Sequence, residues 1–111
     1  MSDDILKSFK RKDIIISDHA LVRMFQRQIS QEEVIENIIN PRRLEYAIRE
    51  KARNSNKEKF NCYFGYSKTL CHNYVLVIKN DVLVITVFKI NRRWQIIAEK
   101  KMIHKIKREI L

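Results

Sequence analysis

The sequence predicts a small α+β protein in which two N-terminal helices pack on one face of an antiparallel sheet of four or five strands. Two observations lead to this class. Apolar residues recur at helical spacing in the first 40 residues, whereas residues 44–90 contain alternating apolar and polar positions and short β-branched runs. The chain has 111 residues, of which 45% are hydrophobic, so it can bury one core and we expect a single domain over residues 1–111.

The N-terminal part contains the first predicted helix. The first dozen residues allow either a short helix or a loose basic arm that ends in Lys10-Arg11-Lys12. A β-branched run follows at residues 14–16. Ser17 or Asp18 can then cap a helix over residues 19–28 by accepting hydrogen bonds from free backbone N–H groups.

A second helix is predicted from about Gln31. Ser30 and Glu33 have the spacing of a capping box, and Ile29 and Val34 are placed as a hydrophobic staple. The Asn40-Pro41 pair disfavours continuation of the helix. Four apolar residues share one face of this helix and are expected in the core: Val34, Ile35, Ile38 and Ile39.

Four strands are predicted after the helices. Alternation of apolar and polar residues marks the first two, and a continuous apolar run, typical of a central strand, marks the third. The fourth follows a reversal at Asn80-Asp81, so the last two strands should pair as a hairpin. The predicted strands are 44–49, 60–64, 74–78 and 82–90, with a turn near 53–57 and a loop over 68–73.

The C-terminal part is basic and carries a mixed pattern. Residues 94–97 could add a strand, but the spacing of apolar residues between 102 and 110 favours a terminal amphipathic helix. Five cations of this region are candidate nucleic-acid contacts: Arg92, Arg93, Lys100, Lys101 and Lys105.

The charge of the whole chain indicates the class of partner. The sequence has 23 Lys and Arg residues against 13 Asp and Glu residues, so its formal net charge is +10 and its surface attracts polyanions. A nucleic acid is the expected partner, and an acidic protein is the alternative. Because there is no long apolar stretch, and because Met1 is followed by Ser-Asp-Asp, we expect no membrane partner and a cytoplasmic location.

No cofactor and no metal site are expected. Cys62 and Cys71 are too few to staple a domain, and thiols remain reduced in the cytoplasm. With His72 they form a Cys-x8-Cys-His spacing, which lacks the close ligand pairs of zinc motifs.

A row of cations marks the first helix. His19, Arg23 and Arg27 are each four residues apart, so they span about 80° of the helix surface. They are either the ordinary polar border of an amphipathic helix or a site for an anionic ligand. The apolar residues expected to face the core occupy the arc from about 100° to 240°: Ala20, Leu21, Met24 and Phe25.

The same segment carries the most specific motif of the chain. Residues 17–30 read SDHALVRMFQRQIS and contain the pattern HA-x2-R-M-x2-R-x-I, and residues 74–77 and 84–87 have the character of paired closing strands. Over roughly residues 14–90 the chain resembles domain of unknown function family 4258, which is similar to the RelE/ParE and BrnT toxins. Gln28 stands where that family commonly has glycine, and residues 91–111 are a basic extension.

The resemblance implies a RelE-like fold with a strongly curved antiparallel sheet. It also implies an RNA-binding protein that acts as a metal-independent endoribonuclease in a toxin–antitoxin system, with an antitoxin protein as a further partner. RNA is therefore favoured over DNA, and the residues matching the proposed catalytic positions are His19, Arg23, Arg27 and Thr86. The alternative is a module that binds RNA or DNA without cleaving it.

The residue types suit RNA cleavage without a metal ion. The reaction needs a base for the 2′-OH proton, an acid for the leaving 5′-oxygen and cations for the charge on phosphorus. His19 can act as base or acid, while Arg23 and Arg27 can bind the phosphate. The second proton-transfer group stays open among four residues: Tyr63, Tyr66, Lys68 and His72.

Unpaired bases could stack on aromatic residues of the sheet. Phe60 and Phe64 are expected in the core. Tyr63 lies on the opposite face of the same predicted strand and is the candidate for stacking on nucleic-acid bases.

Overall fold

Two helices and five strands follow a short 3-10 helix at Arg11–Asp13 in the computed structural model. The structure describes residues 5, 6, 9–50 and 57–91. The elements are β1 (Ile14–Ile16), α1 (Asp18–Gln26), α2 (Gln31–Ile39), β2 (Leu44–Glu50), β3 (Glu58–Gly65), β4 (Leu70–Ile78) and β5 (Val82–Asn91).

The five strands form one mixed sheet in the order β1-β5-β4-β3-β2. The last four strands pair antiparallel, and β4 is central, as its continuous apolar run predicts. However, β1 runs parallel to β5, with Ile14 opposite Val82, so the expectation of a purely antiparallel sheet is wrong at this edge. Local turn signals cannot reveal this pairing, because α1, α2 and three strands separate the two partners in the chain.

Ser17 starts α1 and also holds the helix on the sheet. Its side-chain oxygen accepts a hydrogen bond from the backbone N–H of Ala20 at 3.0 Å, so Ser17 is the N-cap. The same hydroxyl donates to the carbonyl of Ile85 at 3.0 Å, and the Ser17 N–H donates to the carbonyl of Val84. The beginning of α1 is therefore fixed to β5.

The helix α1 ends at Gln26, two residues earlier than predicted. Gln28 has a φ of 56°, in the left-handed region that favours glycine. The Gln28 N–H donates to the carbonyl of Phe25, and the Ile29 N–H donates to the carbonyl of Met24, which together form a Schellman motif. This turn gives a physical reason why glycine would suit the position of Gln28.

Ser30 caps α2, where its side chain accepts a hydrogen bond from the Glu33 N–H at 3.1 Å. The helix begins at Gln31, as predicted. Val34 and Ile38 are fully buried, which confirms the predicted core face at its centre. Ile35 and Ile39 are only half-buried and flank that face.

The core lies between the two helices and one face of the sheet. Phe25 is the exception to the predicted burial on α1, because its side chain is 88% exposed. The buried residues Ala20 and Met24 centre the inward face of α1 near 120°, so Phe25, at about 240°, points outward. The remaining buried core residues are Leu6, Ile29, Val34, Ile38, Phe60, Cys62, Phe64, Tyr74, Leu76, Val82, Val84 and Val87.

The central strand β4 begins at Leu70, so the predicted loop over residues 68–73 is wrong for residues 70–73. His72 and Asn73 are both buried within the strand. Their polarity interrupts the apolar pattern, which is why the sequence suggests a later start.

A β-bulge interrupts the β4–β5 hairpin. Val75 pairs with Thr86 and Leu76 pairs with Val84, so Ile85 has no partner residue on β4. Beyond the bulge, every residue of β5 is shifted by one relative to β4.

Some sequence predictions lie outside the described residues. These are the turn predicted near 53–57, of which only residue 57 is described, the candidate strand at 94–97 and the basic C-terminal helix. Within residues 5, 6, 9–50 and 57–91, no helix has the length and apolar character needed to cross a membrane.

Candidate functional site

The cation row of α1 brings two of its three members into contact. The Arg23 Nε donates a long hydrogen bond of 3.4 Å to His19 Nε2, and the Arg23 guanidinium also donates to Gln26 at 3.0 Å. His19 is exposed, whereas Arg23 is half-buried. An imidazole and a guanidinium thus share an accessible surface, where they could meet an anionic ligand.

Arg27, the third member, turns toward the sheet. Its guanidinium carbon lies 5.0 Å from the centre of the Phe88 ring on β5, within the range of a cation–π interaction. The physical reason is the drift of about 40° for every four helical residues. This drift moves the row from the exposed side at His19 toward the buried side at Arg27.

Thr86, the fourth residue of the predicted catalytic set, lies on β5 opposite Val75. Its hydroxyl oxygen is buried and has no hydrogen-bond partner among the described residues. The structure therefore gives no hydrogen bond from Thr86 to the cation row.

A second polar cluster lies beneath α2, on the central strand. The side-chain amide of Asn37 donates to the Tyr74 hydroxyl at 2.9 Å, and the same hydroxyl lies 2.9 Å from His72 Nδ1. Tyr74 is fully buried and His72 is only 1% exposed. The other imidazole nitrogen, His72 Nε2, is buried without a hydrogen-bond partner in the part of the chain that the structure describes.

Tyr66 and Lys89 close this cluster on the solvent side. The Tyr66 ring stacks on His72 with 4.5 Å between ring centres and 19° between ring planes. Lys89 lies opposite His72 on β5, and its ammonium group is 4.9 Å from the centre of the Tyr66 ring.

The electrostatics of the cluster keep His72 neutral. Burial, and to a smaller extent the positive charges of Lys89 and Arg43, lower the pKa of His72 from 6.5 to about 4. Burial also raises the pKa of the Tyr74 hydroxyl, so that group stays protonated near neutral pH. The chain Asn37–Tyr74–His72 is therefore a neutral hydrogen-bond network with cations at its rim.

Two surface pockets meet at Arg42 and Arg43, beside this cluster. One has a volume of about 340 Å³ and is lined by the start of β2 and by the β3–β4 turn, including Gly65, Tyr66 and Ser67. The other, of about 230 Å³, lies along α2 and includes Asn37 and Asn40.

The remaining predicted site residues are placed as follows. Tyr63 is only 8% exposed and its ring stacks on Tyr46 at 4.4 Å, so it does not offer the outward-facing ring that base stacking requires. Phe60 and Phe64 are core residues, as predicted. Lys68 is exposed in the β3–β4 turn. The five basic candidates of the C-terminal part lie outside the described residues: Arg92, Arg93, Lys100, Lys101 and Lys105.

Cys62 and Cys71 are both buried thiols. Burial raises the pKa of the Cys62 thiol, so this group is not an activated nucleophile. No group of three or more potential metal ligands was found among the described side chains.

Sequence reasoning missed the partners of His72. His72 itself was a candidate for proton transfer, but nothing in the sequence connects it with Asn37, Tyr74 or Arg43. The cross-strand contact with Lys89 depends on the bulge at Ile85, which shifts the hairpin by one residue.

The comparisons with known proteins give one match. The sequence pattern described as Domain of unknown function (DUF4258) matches residues 16–89, which include α1, α2 and β2–β4 and most of β5. No curated protein and no solved structure matches the chain. Since the match covers well over half of the 111 residues, the chain belongs to the family of the domain of unknown function DUF4258.

Proposed function

We propose that this protein binds RNA and cleaves it without a metal ion, as a RelE/BrnT-like toxin of a toxin–antitoxin pair. The observation that carries this proposal is the contact of His19 with Arg23 on an accessible surface of a chain with a net charge of +10. A proton-transfer group and a phosphate-binding cation are thereby adjacent. The proposal also includes a RelE-like fold, an antitoxin partner and a cytoplasmic location.

The proposed roles follow from the chemistry of each group. Arg23 turns from His19 Nε2 to the phosphate, which frees the imidazole lone pair. His19 then takes the proton from the 2′-OH, and the resulting 2′-oxygen attacks phosphorus. The bond from phosphorus to the 5′-oxygen then breaks, and the 5′-oxygen takes a proton from a general acid. This acid is a third group, separate from His19 and Arg23. Arg23 donates hydrogen bonds to the phosphate oxygens as negative charge develops on them.

A second candidate function is a module that binds nucleic acid without cleaving it. The observation that favours this alternative is the absence of a hydrogen bond between the cation row and Thr86, whose hydroxyl has no partner among the described residues. Cleavage needs two proton-transfer groups at one phosphate, whereas binding needs only cations.

An RNA cleavage assay in the presence of a chelator separates the two functions. His19→Ala and Arg23→Ala should each reduce cleavage by about 10²–10⁴-fold, because general acid–base catalysis and phosphate stabilisation commonly contribute that much. Lys79→Ala is the matched control, since it removes an exposed cation from the β4–β5 turn, outside the cation row. Melting curves of all variants should stay close to wild type.

The outcomes are distinct. Binding without cleavage in the wild-type protein would support the module and refute the enzyme. If the protein neither binds nor cleaves RNA or DNA, both functions are refuted and an acidic protein becomes the leading partner class.

A further inference from the structure

The Tyr66 ring forms one wall of the pocket beside the β3–β4 turn. Tyr66 lies just after the end of β3, and its side chain is 40% exposed although its ring covers His72. The turn itself is held by backbone hydrogen bonds from residues 66 and 67 to Leu70 and by the Ser67 side chain, which accepts from Leu70. None of these hydrogen bonds involves the Tyr66 side chain, so its rotation would leave them intact.

The hydrogen-bond network permits a donor role for His72. Tyr74 accepts a hydrogen bond from Asn37, and its own O–H can donate to His72 Nδ1. A neutral imidazole whose Nδ1 accepts carries its proton on Nε2. In this tautomer His72 Nε2–H is a buried donor without an acceptor in the described residues.

Such a donor is unfavourable until an acceptor reaches it, because a buried N–H without a partner has lost its hydrogen bonds to water. The charges around it define the acceptor that fits. Lys89 contacts the Tyr66 ring that covers His72, and Arg43 is close enough to act on the His72 charge and lines the adjoining pocket. An acceptor oxygen with negative charge is thus favoured over a neutral carbonyl.

We propose that this pocket binds a phosphate group of a single-stranded nucleic acid, with the Tyr66 ring displaced from His72. In the bound state His72 Nε2–H, Lys89 and Arg43 donate to the phosphate oxygens, and Tyr66 stacks on the neighbouring base. Stacking on an aromatic ring beside a cationic groove is the usual way in which proteins hold single strands. The pocket of about 340 Å³ is lined by Arg42, Arg43 and Tyr66 together with the carboxylate residue Glu45. Displacement of the Tyr66 ring would join this pocket to His72, on which the ring stacks, and to Lys89, which contacts the ring.

This site goes beyond the proposed ribonuclease function. It involves β4, β5 and the β3–β4 turn, and it uses none of the α1 residues His19, Arg23 and Arg27. The two proposals can therefore fail separately.

The test observes the imidazole nitrogens of His72 and the ring of Tyr66 by NMR in the full-length protein. The probes are inorganic phosphate, uridine 5′-monophosphate and a six-nucleotide oligouridylate. We expect the oligouridylate to shift the His72 Nε2 and Tyr66 signals in a saturable way and to bind more tightly than either small probe. If no probe shifts these signals, or if inorganic phosphate binds as tightly as the oligouridylate, the proposal is wrong.

Two variants make the test specific. Lys89→Gln should raise the Kd for the oligouridylate by about tenfold or more, because a charge-assisted contact is lost. Lys79→Gln, which removes an exposed cation from the next turn, should leave it unchanged. If both variants weaken oligouridylate binding equally, net charge alone controls binding, and the proposed phosphate site is wrong.

Tyr66→Ala and His19→Ala separate the remaining explanations. Tyr66→Ala should uncover His72, keeping the response to inorganic phosphate while weakening oligouridylate binding. An unchanged affinity for the oligouridylate would exclude base stacking. His19→Ala should keep the His72 shift even if it abolishes cleavage, whereas loss of that shift would show that the pocket is not an independent site.

Discussion

His19 and His72 show how two residues of one type acquire different chemistry from their surroundings. His19 is exposed on α1 and contacts a guanidinium group, so it is accessible to an anionic ligand. His72 is enclosed between Tyr66 and Tyr74, and one of its nitrogens has no partner among the described residues. Accessibility supports a role in catalysis for His19, while the unused donor supports a role in binding for His72.

The low pKa of His72 predicts that the protein loses stability in mild acid. Below about pH 6.5 the unfolded chain binds a proton at this residue that the folded chain does not bind, since burial, Lys89 and Arg43 lower the folded-state pKa to about 4. The free energy of unfolding should therefore fall between pH 6.5 and pH 4 by on the order of 2 kcal/mol from this group, after allowance for screening by nearby solvent.

Urea titrations at pH 7 and pH 4.5 check this prediction. His72→Gln should be less stable at pH 7 but should show a shallower decline with acid than the wild type. His19→Gln is the control and should retain the wild-type decline, because its His72 is intact. Equal declines in wild type and His72→Gln would contradict the assigned origin of the acid sensitivity.

At the scale of the elements, the sequence could predict most boundaries but not the register that forms the candidate sites. The caps at Ser17 and Ser30 are local signals, and both are correct. In contrast, a regular hairpin about residues 78–82 would pair His72 with Phe88. Because of the bulge at Ile85, His72 pairs with Lys89 instead. The bulge lies in an unbroken run of β-branched residues, which contains no turn residue that would indicate it.

The inward face of α1 was predictable only in part, because a contact between distant parts of the chain determines which side of the helix faces the sheet. Helical spacing identifies an apolar arc that includes Ala20, Met24 and Phe25, but it does not reveal which edge of that arc meets the sheet. Ser17 fixes the start of α1 to the carbonyl of Ile85 on β5. With that anchor the centre of the buried face lies at Ala20 and Met24, and Phe25 remains in solvent.

The end of α1 supports a prediction on stability. Gln28 occupies the left-handed region at a φ of 56°, where a residue with a Cβ atom is disfavoured by about 1–2 kcal/mol. Gln28→Gly should therefore raise the free energy of unfolding by about 1 kcal/mol, since part of the gain is offset by the greater freedom of glycine in the unfolded chain.

Denaturant titration of the two variants Gln28→Gly and Gln28→Ala tests this prediction. Alanine keeps the Cβ atom and should give no increase in stability. A destabilised glycine variant would show that the Gln28 side chain makes a contribution larger than the strain of its backbone.

At the scale of the whole molecule, the described residues form one α+β body, and the sequence continues after it with a basic C-terminal part. The parallel pairing of β1 with β5 and the position of β4 at the centre make the sheet a single layer, with the helices on one face. Both candidate sites contact the last residues of β5, where Phe88 meets Arg27 and Lys89 meets Tyr66. Strand β5 ends at Asn91, directly before the cations Arg92 and Arg93.

This continuity leads us to predict that the C-terminal cations contribute to nucleic-acid binding beyond their share of the net charge. Replacing Lys100, Lys101 and Lys105 by glutamine lowers the formal charge from +10 to +7, because three positive charges are removed. Each phosphate contact that is lost should reduce the slope of log Kobs against log salt by roughly 0.7 for a single strand. The triple variant should therefore bind more weakly and depend less on salt.

A second full-length variant with the same net charge provides the control. Lys12, Lys57 and Lys79 are exposed in the described part of the chain, and their replacement by glutamine also gives +7. If the C-terminal cations touch the phosphates, only the first variant should flatten the salt dependence, because long-range attraction changes equally in both. Fluorescence anisotropy with the oligouridylate over 50–200 mM salt measures both slopes. Identical slopes in the two variants would show that the C-terminal cations act only through the overall field of the protein.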